Sequence, residues 1–559
     1  MSTFSHTGAG AVACPRWFWP VVAALIAVLA VVQVTSIRQE SQTWDEAIEL
    51  ATGYHYLKTG DLHFHLEHPP LAEMLAALPL LAMNATLPRD PPNDELGFGQ
   101  NFVYSNRVPA DTLLFAGRLT SIAITCAFAL LLAWWTRRKF GTVAAIIALA
   151  LFVFDPTMIA HGRYIKSDVL FALLSFLCVI AWVSYVERPR ASALVATGVA
   201  LGLATACKFS AVFLFPTLLL LGLRLRWRGV RAWAGAMGIA AVVVLCFYAP
   251  EAPKLIPMSQ HGRLVHADWQ PLRMVIRRDT FAGNALAWIG SRLGWRDHSL
   301  FVGLAQLAAE DKSGQPAFLF GELSLTGWWY YFPAAFIVKT PVATLAAIGL
   351  ALVLGLMAWR RPNFLTLALL LPMAIYMATA MASHINIGIR HLLPIYPFLF
   401  VLVGATLSAW NGKRKAVVLG VLGAALVAES LAVYPHYLAF FNVLSGGPSN
   451  GPNLLVDSNL DWGQDVRKLK RYMDQHAISR VCIAYFGTAD LTYNRVSFDW
   501  LANDRAEAEA MSRNCVLAVS ATLLEGVYLA DDSFAWLRER QPTARIGYSI
   551  YVYDLRTAK

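Results

Sequence analysis

Residues 17–46 read WFWPVVAALIAVLAVVQVTSI and then RQESQTWDE. Residues 17–37 carry no charged side chain, and about 20 apolar residues in a helix are what the hydrocarbon core of a bilayer requires. Eight positions beyond Ile37 stands an acidic pair, Asp45-Glu46. The stretch predicts a membrane helix that runs out into carboxylates at the edge of the bilayer. Charge at that depth is costly, so it marks a functional site by default. The helix is too long for the apolar region of a signal peptide, and Ser36-Ile37-Arg38-Gln39-Glu40 supplies no small-residue cleavage site. It is read as a retained first span.

Working outward, similar apolar stretches recur near 113–135, 142–156, 168–187, 191–207, 209–223, 230–250, 333–358, 363–383, 391–410 and 414–433. With 17–37 that makes about eleven spans. The 559-residue chain is 57% hydrophobic and only 15% charged, with a mean hydropathy of +0.49. These values exclude an ordinary soluble enzyme and predict a polytopic α-helical membrane protein.

The net charge of +10 does not point to nucleic acid. Basic clusters fall in alternate short connections: Arg137-Arg138-Lys139, Arg188 with Arg190, residues 224–231, Arg360-Arg361 and Lys413-Arg414-Lys415. The positive-inside rule makes these the cytoplasmic loops. The N-terminus is then cytoplasmic, and residues 38–112, 157–167, 251–327, 384–390 and 436–559 lie outside. Residues 1–435 are expected to form the membrane domain, with large outer loops at 38–112 and 251–327.

Segment 38–112 holds four Lys/Arg against eleven Asp/Glu. Its apolar stretch at 69–87, opened by Pro69-Pro70 and broken by Pro79, reads as an interfacial helix. If it crossed, every later basic cluster would face outward. Residues 436–559 alternate strand-like runs (Leu454-Leu455-Val456, 480–486, 515–519, 548–553) with helical patterns at 463–476 and 533–540, which predicts an outer α/β domain. Cys482 and Cys515 fall in two of those runs. An oxidising compartment would allow them to pair, but free thiols are common in such buried strands, and the reading favours free thiols.

Several ionisable residues gather at the outer ends of spans. Asp45 is the candidate base: a carboxylate near a low-dielectric boundary is expected to have a raised pKa and to suit proton removal from an alcohol. Glu46 adjoins it, although an isolated acidic pair is usually a solvated loop start. Asp168 opens the span at 168–187 behind Arg163 and Lys166, where helix capping is an equal alternative. His68, fixed before two prolines, reads as a donor to an anion or as a structural residue. Lys208 and Lys339 interrupt apolar runs, and Arg390-His391 form another basic pair. Such cations either snorkel to the interface or meet an anionic head group. No phosphate-loop glycine pattern, nucleophile elbow or zinc spacing occurs.

The motifs and their order resemble a known family. Trp44-Asp45-Glu46, His68-Pro69-Pro70-Leu71, Arg163-x4-Asp168, Lys208-Phe209-Ser210, Tyr331-Phe332-Pro333, Lys339-Thr340-Pro341, residues 388–394 (GIRHLLP) and residues 458–465 (SNLDWGQD) are together similar to the phospholipid-carrier-dependent glycosyltransferases of the GT-C fold. That group holds the protein O-mannosyltransferases and lipid A aminoarabinose transferases (glycosyltransferase family 39). The resemblance implies transfer of a sugar from a polyprenyl-phosphate carrier to a lipid, glycan or protein hydroxyl outside the cytoplasm, usually with inversion, in a bacterial inner membrane.

On that resemblance Asp45 is the general base. Glu46 and Asp168 orient sugar, acceptor or a divalent metal. His68, Arg163, Lys166, Lys208, Lys339, Arg390 and His391 contact phosphate or sugar, with the charge of His68 set by pH. Residues 458–465 are read as a capping and docking turn or, more sharply, as an acceptor-recognition element. A transporter of lipid-linked sugar is the alternative reading, but it would place its charges near the bilayer midplane within inverted repeats.

Overall fold

A computed structural model of the chain describes residues 14–62, 64–88, 94–249, 299–357 and 362–556. Seven helices among them are long and apolar enough to cross a bilayer: Phe18–Ile37, Ala110–Phe140, Ser167–Glu187, Trp227–Tyr248, Phe364–Ala382, Ile389–Ala409 and Lys415–Ala432. Tyr331–Lys339 and Val342–Met357 make an eighth if the two halves count as one span, bent by 113°. The bend falls at Thr340-Pro341, where the proline removes a backbone donor and disfavours helix in the residue before it.

The other three expected spans are shorter apolar runs, Thr142–Val153, Ala191–Cys207 and Phe209–Leu225. A twelve-residue helix such as Thr142–Val153 rises only about 18 Å, against about 30 Å of hydrocarbon. The stretch at 69–87 is likewise short: helix Leu71–Ala77 tightens into a 3-10 turn at Leu78–Ala82. Arg360-Arg361 and residues 251–298 of the outer loop lie outside the described residues. The rest of that loop forms helix Ser299–Ser313 and a hairpin pairing Ala317–Leu319 with Glu322–Ser324.

The acidic pair starts a helix of its own, Glu46–Thr59. Glu46 and Glu49 occupy its first turn and Lys58 its last, each favourable to the helix dipole. Gly60 closes it at φ 70°, a left-handed cap that glycine adopts without strain. This helix presses against Leu71–Ala77 so closely that a Cβ on Gly53 would lie 2.0 Å from the Glu73 carbonyl oxygen. An alanine there would force the pair apart.

The C-terminal region carries a five-stranded sheet in the order Phe498–Trp500, Val481–Ala484, Val516–Ser520, Ile550–Tyr553, Ala544–Ile546. The first three strands are parallel and the last two pair antiparallel. Helices Val466–Gln475 and Arg505–Ser512 accompany it. Leu454-Leu455-Val456, expected as a strand, instead lies between two 3-10 turns. The pattern at 533–540 shrinks to Ala535–Arg538.

The free-thiol reading of Cys482 and Cys515 is overturned: the two are disulfide-bonded. The parallel register that sets Val481 against Val516 brings their Cα atoms to 5.9 Å, inside the roughly 4.4–6.8 Å that a disulfide spans.

Candidate active site

Residues 458–465 dock this C-terminal region onto the helix bundle. The backbone N–H groups of Ser41 and Trp44 donate to the carbonyls of Gln464 and Trp462 at 2.9 Å each. Asn459 Oδ1 accepts from the N–H of Ile389 at 2.9 Å, and Ser458 Oγ donates to the Ile387 carbonyl at 2.7 Å. The seam between the two parts opens into a cavity of about 1040 Å³. Its apolar wall includes Phe209, Val212, Leu304, Phe332 and Tyr376. Its polar end holds Asp45, His65, His68, Lys166, Lys208 and Arg390.

Each polar group arrives from the end of an element. Asp45 precedes helix Glu46–Thr59, and Lys166 precedes Ser167–Glu187 in an extended conformation. Lys208 ends Ala191–Cys207, and Arg390 lies in the 3-10 turn Ile389–Ile395. Placing charge at helix ends spares the helices an interior ion and concentrates it on one face.

Two ion-pair centres result. Lys166 Nζ lies 3.0 Å from Asp45 Oδ2 and also contacts Glu49 Oε1. It donates to His68 Nε2 at 3.0 Å, so that imidazole nitrogen is an acceptor and the ring is neutral. In the second centre Asp168 takes Lys208 on one oxygen and the Arg390 guanidinium, at 3.3 Å, on the other. Arg390 is further held over the Trp462 ring at 4.8 Å. A third buried pair, His65 Nδ1 to Glu73 Oε1 at 2.6 Å, with Thr52 Oγ1 donating to Oε2 at 3.0 Å, backs the first centre.

The electrostatics follow from these contacts. Burial raises the Asp45 carboxyl, but Lys166, Arg390 and His65 outweigh it and hold it below its ordinary value. The expected raised pKa is therefore corrected: the group is ionised, because a fixed cation faces it. Glu49, behind Lys166, is pushed up to about 7, chiefly by burial. Burial and the neighbouring Lys166 hold His68 well below its ordinary value, so the pH-dependent charge expected of it is absent. His65 goes the other way: burial opposes its charge, and Glu73 and Glu67 overcome that. Among the described residues no group of three or more His, Cys, Asp or Glu side chains is arranged to hold a metal ion.

Residues 21–249 match the family model of the dolichyl-phosphate-mannose-protein mannosyltransferases. The fold is similar to that of ArnT from Cupriavidus metallidurans bound to undecaprenyl phosphate, with 12% identity, a TM-score of 0.50, and coverage of 96% of this chain and 98% of that one. It is also similar to the Saccharomyces cerevisiae protein O-mannosyltransferase Pmt1–Pmt2 complex bound to the sugar donor. There the identity is 13%, the TM-score 0.50, and the coverage 76% of this chain and 90% of that one. The chain has the GT-C fold of these structures, and the family match covers residues 21–249 of its 559. No curated relative matches the sequence.

Within this fold the sequence-expected site residues divide. Asp45, His68, Lys166, Lys208, Arg390 and His391 all line the cavity. Asp168 stands just behind it, fixing Lys208 and Arg390. It does not cap its helix: Lys166 takes the cap position and no side chain caps there.

Three residues are elsewhere. Glu46 is fully buried and forms a two-point pair with Arg118, Nε to Oε1 at 2.8 Å and Nη2 to Oε2 at 2.5 Å. It also accepts from the N–H groups of Thr43 and Ile165, so all its acceptor capacity faces protein. Arg163 is buried against Glu40 at 2.9 Å and does not line the cavity. Lys339 donates to the carbonyls of Leu438 and Asn459 at 2.8 and 2.6 Å and ties the membrane helices to the C-terminal region.

Sequence reasoning missed Glu40, Glu49, His65, Glu73 and Asp457. Glu40, Glu49 and Glu73 belong to the acidic excess of residues 38–112, but nothing local says which of those charges turn inward, and His65 and Asp457 have no such signal.

Proposed function

We propose that this enzyme transfers a sugar from a polyprenyl-phosphate carrier to an acceptor hydroxyl, with inversion, and that Asp45 is the general base. The observation that supports this reading is the sharing of one cavity by an ionised carboxylate, fixed cations and an apolar wall. The wall suits a prenyl chain, and Lys208 and Arg390 suit its phosphate. That ArnT is described bound to undecaprenyl phosphate supports the same carrier class. The side chain of Asp45 is 21% exposed, so an acceptor can reach it.

In the reaction the acceptor oxygen attacks the anomeric carbon and forms the new glycosidic bond as the carbon–oxygen bond to phosphate breaks. The acceptor proton passes to Asp45, and the carrier phosphate leaves with one more negative charge. Asp45, held to a low pKa by Lys166, is a weak base. It therefore takes the proton late, when the oxygen already shares electrons with the sugar. Lys208 and Arg390 stabilise the departing phosphate without reorganising, because Asp168 has already set them in place. Asp168 and Lys166 are positioning residues in this scheme, and Glu46 holds the framework behind them.

The reading places the C-terminal region outside the cytoplasm and the N-terminus inside, in a bacterial inner membrane. The acceptor class is lipid, glycan or protein. A transporter is not favoured, since the charged residues gather at helix ends rather than midway along them.

The test is binding of undecaprenyl phosphate and of uncharged undecaprenol to the purified protein in nanodiscs. The phosphate should bind at least about tenfold more tightly, and Arg390→Ala should remove that preference. Equal binding of both lipids would overturn the reading.

A further inference from the structure

Two of the eight described non-glycine residues with positive φ are Asp457 at 58° and Tyr528 at 64°. Aspartate adopts that region readily, but a bulky residue such as Tyr528 is a true outlier there and costs energy that surrounding structure must hold. These two touch: the Tyr528 hydroxyl donates to Asp457 Oδ2 at 2.6 Å. Both line the cavity. Strain at Tyr528, bonded to Asp457 at a cavity wall, is the kind of feature that marks a ligand contact.

The pair ends an aromatic stack. Tyr528 lies on Phe486 with ring centroids 5.3 Å apart and planes 7° apart. Phe486 lies on Trp44 at 4.7 Å and 25°. Trp44 precedes the base Asp45 and is itself fixed, since Thr488 Oγ1 donates to its carbonyl at 2.6 Å. The C-terminal region thus sends a ladder of rings from Asp457 to the residue beside the base. Tyr528 keeps 42% of its surface exposed.

Asp457 also has acceptor capacity to spare. Its Oδ1 takes the N–H of Ser458 at 2.5 Å and its Oδ2 takes Tyr528, while a carboxylate offers about four lone-pair sites. Flat rings beside a carboxylate that accepts hydrogen bonds are the chemistry that recognises a pyranose. The ring's C–H face lies on the aromatic quadrupole and its hydroxyls donate to the oxygens.

We propose that Asp457 and Tyr528, with Phe486 packed behind the Tyr528 ring, form a pyranose-binding wall beside the carrier site, the exposed face of Tyr528 taking the sugar. The inference rests on the glycosyl-transfer reading and deepens it. The sugar bound there belongs either to the donor or to a glycan acceptor, and the two sources separate in the experiment.

Asp457→Asn is the informative variant, because asparagine tolerates positive φ and removes only the charge. Phe486→Leu, which removes the ring that backs Tyr528, is the companion. Wild type and both variants, full length in nanodiscs, are titrated with three probes: bare undecaprenyl phosphate, undecaprenyl phosphate carrying mannose, glucose or galactose, and an array of soluble glycans. The wall predicts that the bare lipid binds no more weakly than to wild type and that a sugar-bearing ligand loses at least about tenfold. A loss on the sugar-bearing lipid assigns the wall to the donor, and a loss on array glycans assigns it to the acceptor. Variants that bind every sugar-bearing ligand as wild type does would overturn the wall, as would an equal loss on the bare lipid. Failure of wild type to prefer undecaprenyl phosphate over undecaprenol would instead overturn the carrier reading.

Discussion

Lys166 Nζ lies 3.0 Å from Asp45 Oδ2, so the candidate base is held in an ion pair before any substrate arrives. The pair lowers the carboxyl against the upward push of burial. Lys166→Met leaves that push less opposed, and the Asp45 pKa rises. The acid limb of the kcat/KM profile should then move to higher pH, with activity lost at a pH where wild type is still fully active. The pH–rate profiles of the two proteins check this. An acid limb that stays in place would remove Asp45 from the role of titrating base.

Asp168 holds two cations at once. Asp168→Asn takes away their shared counter-charge, and Lys208 and Arg390 lose their fixed positions. The expected result is a KM for a polyprenyl-phosphate sugar raised by at least about tenfold, with a smaller change in kcat. Steady-state kinetics separate the two parameters. A fall in kcat alone would instead place Asp168 at the reacting atoms.

Glu46 stands next to the base in sequence but faces away from it in space. Glu46→Ala leaves the buried Arg118 without its paired carboxylate, with only the Ile37 and Ser41 carbonyls to bond, which costs about 3–5 kcal/mol. Thermal melts of the purified variant should show a large loss of stability, and the fraction that folds should keep much of its turnover. Full stability with abolished turnover would return Glu46 to a catalytic role.

The bond between Cys482 and Cys515 closes a sequence separation of 33 residues, and the chain-entropy account gives such a closure about 3–4 kcal/mol. Cys482→Ala with Cys515→Ala should lower the melting temperature of the C-terminal region, and a reductant should lower that of wild type alike. A melt insensitive to reductant would contradict the pairing.

Much of this was legible in the sequence, and the rest was not for definite reasons. The spans were legible because about 20 apolar residues leave a one-dimensional signature. Sheet strands such as Val516–Ser520 were legible as buried apolar runs. The cavity residues Asp45, Lys166, Lys208 and Arg390 were legible as charges at span ends. Partners were not, because Arg163 meets Glu40 across 123 positions and Arg390 meets Asp168 across 222. The Cys482–Cys515 bond depended on strand register, which the strand-like runs alone do not specify. Leu454-Leu455-Val456 misled because an apolar triplet fits a docking turn as well as a strand. The Asp457–Tyr528 contact left no sequence signal, since positive φ at either residue is imposed from outside the local chain.

The central claim is that Asp45 removes the acceptor proton, and Asp45→Asn tests it most directly. Asparagine keeps the shape and loses the base, while Lys208, Arg390 and the apolar wall are untouched. Binding of undecaprenyl phosphate and sugar transfer from a polyprenyl-phosphate donor are measured on the same purified variant. The account predicts binding within about threefold of wild type and transfer reduced by at least about a hundredfold. Transfer at the wild-type rate by a variant that binds the carrier normally would contradict it.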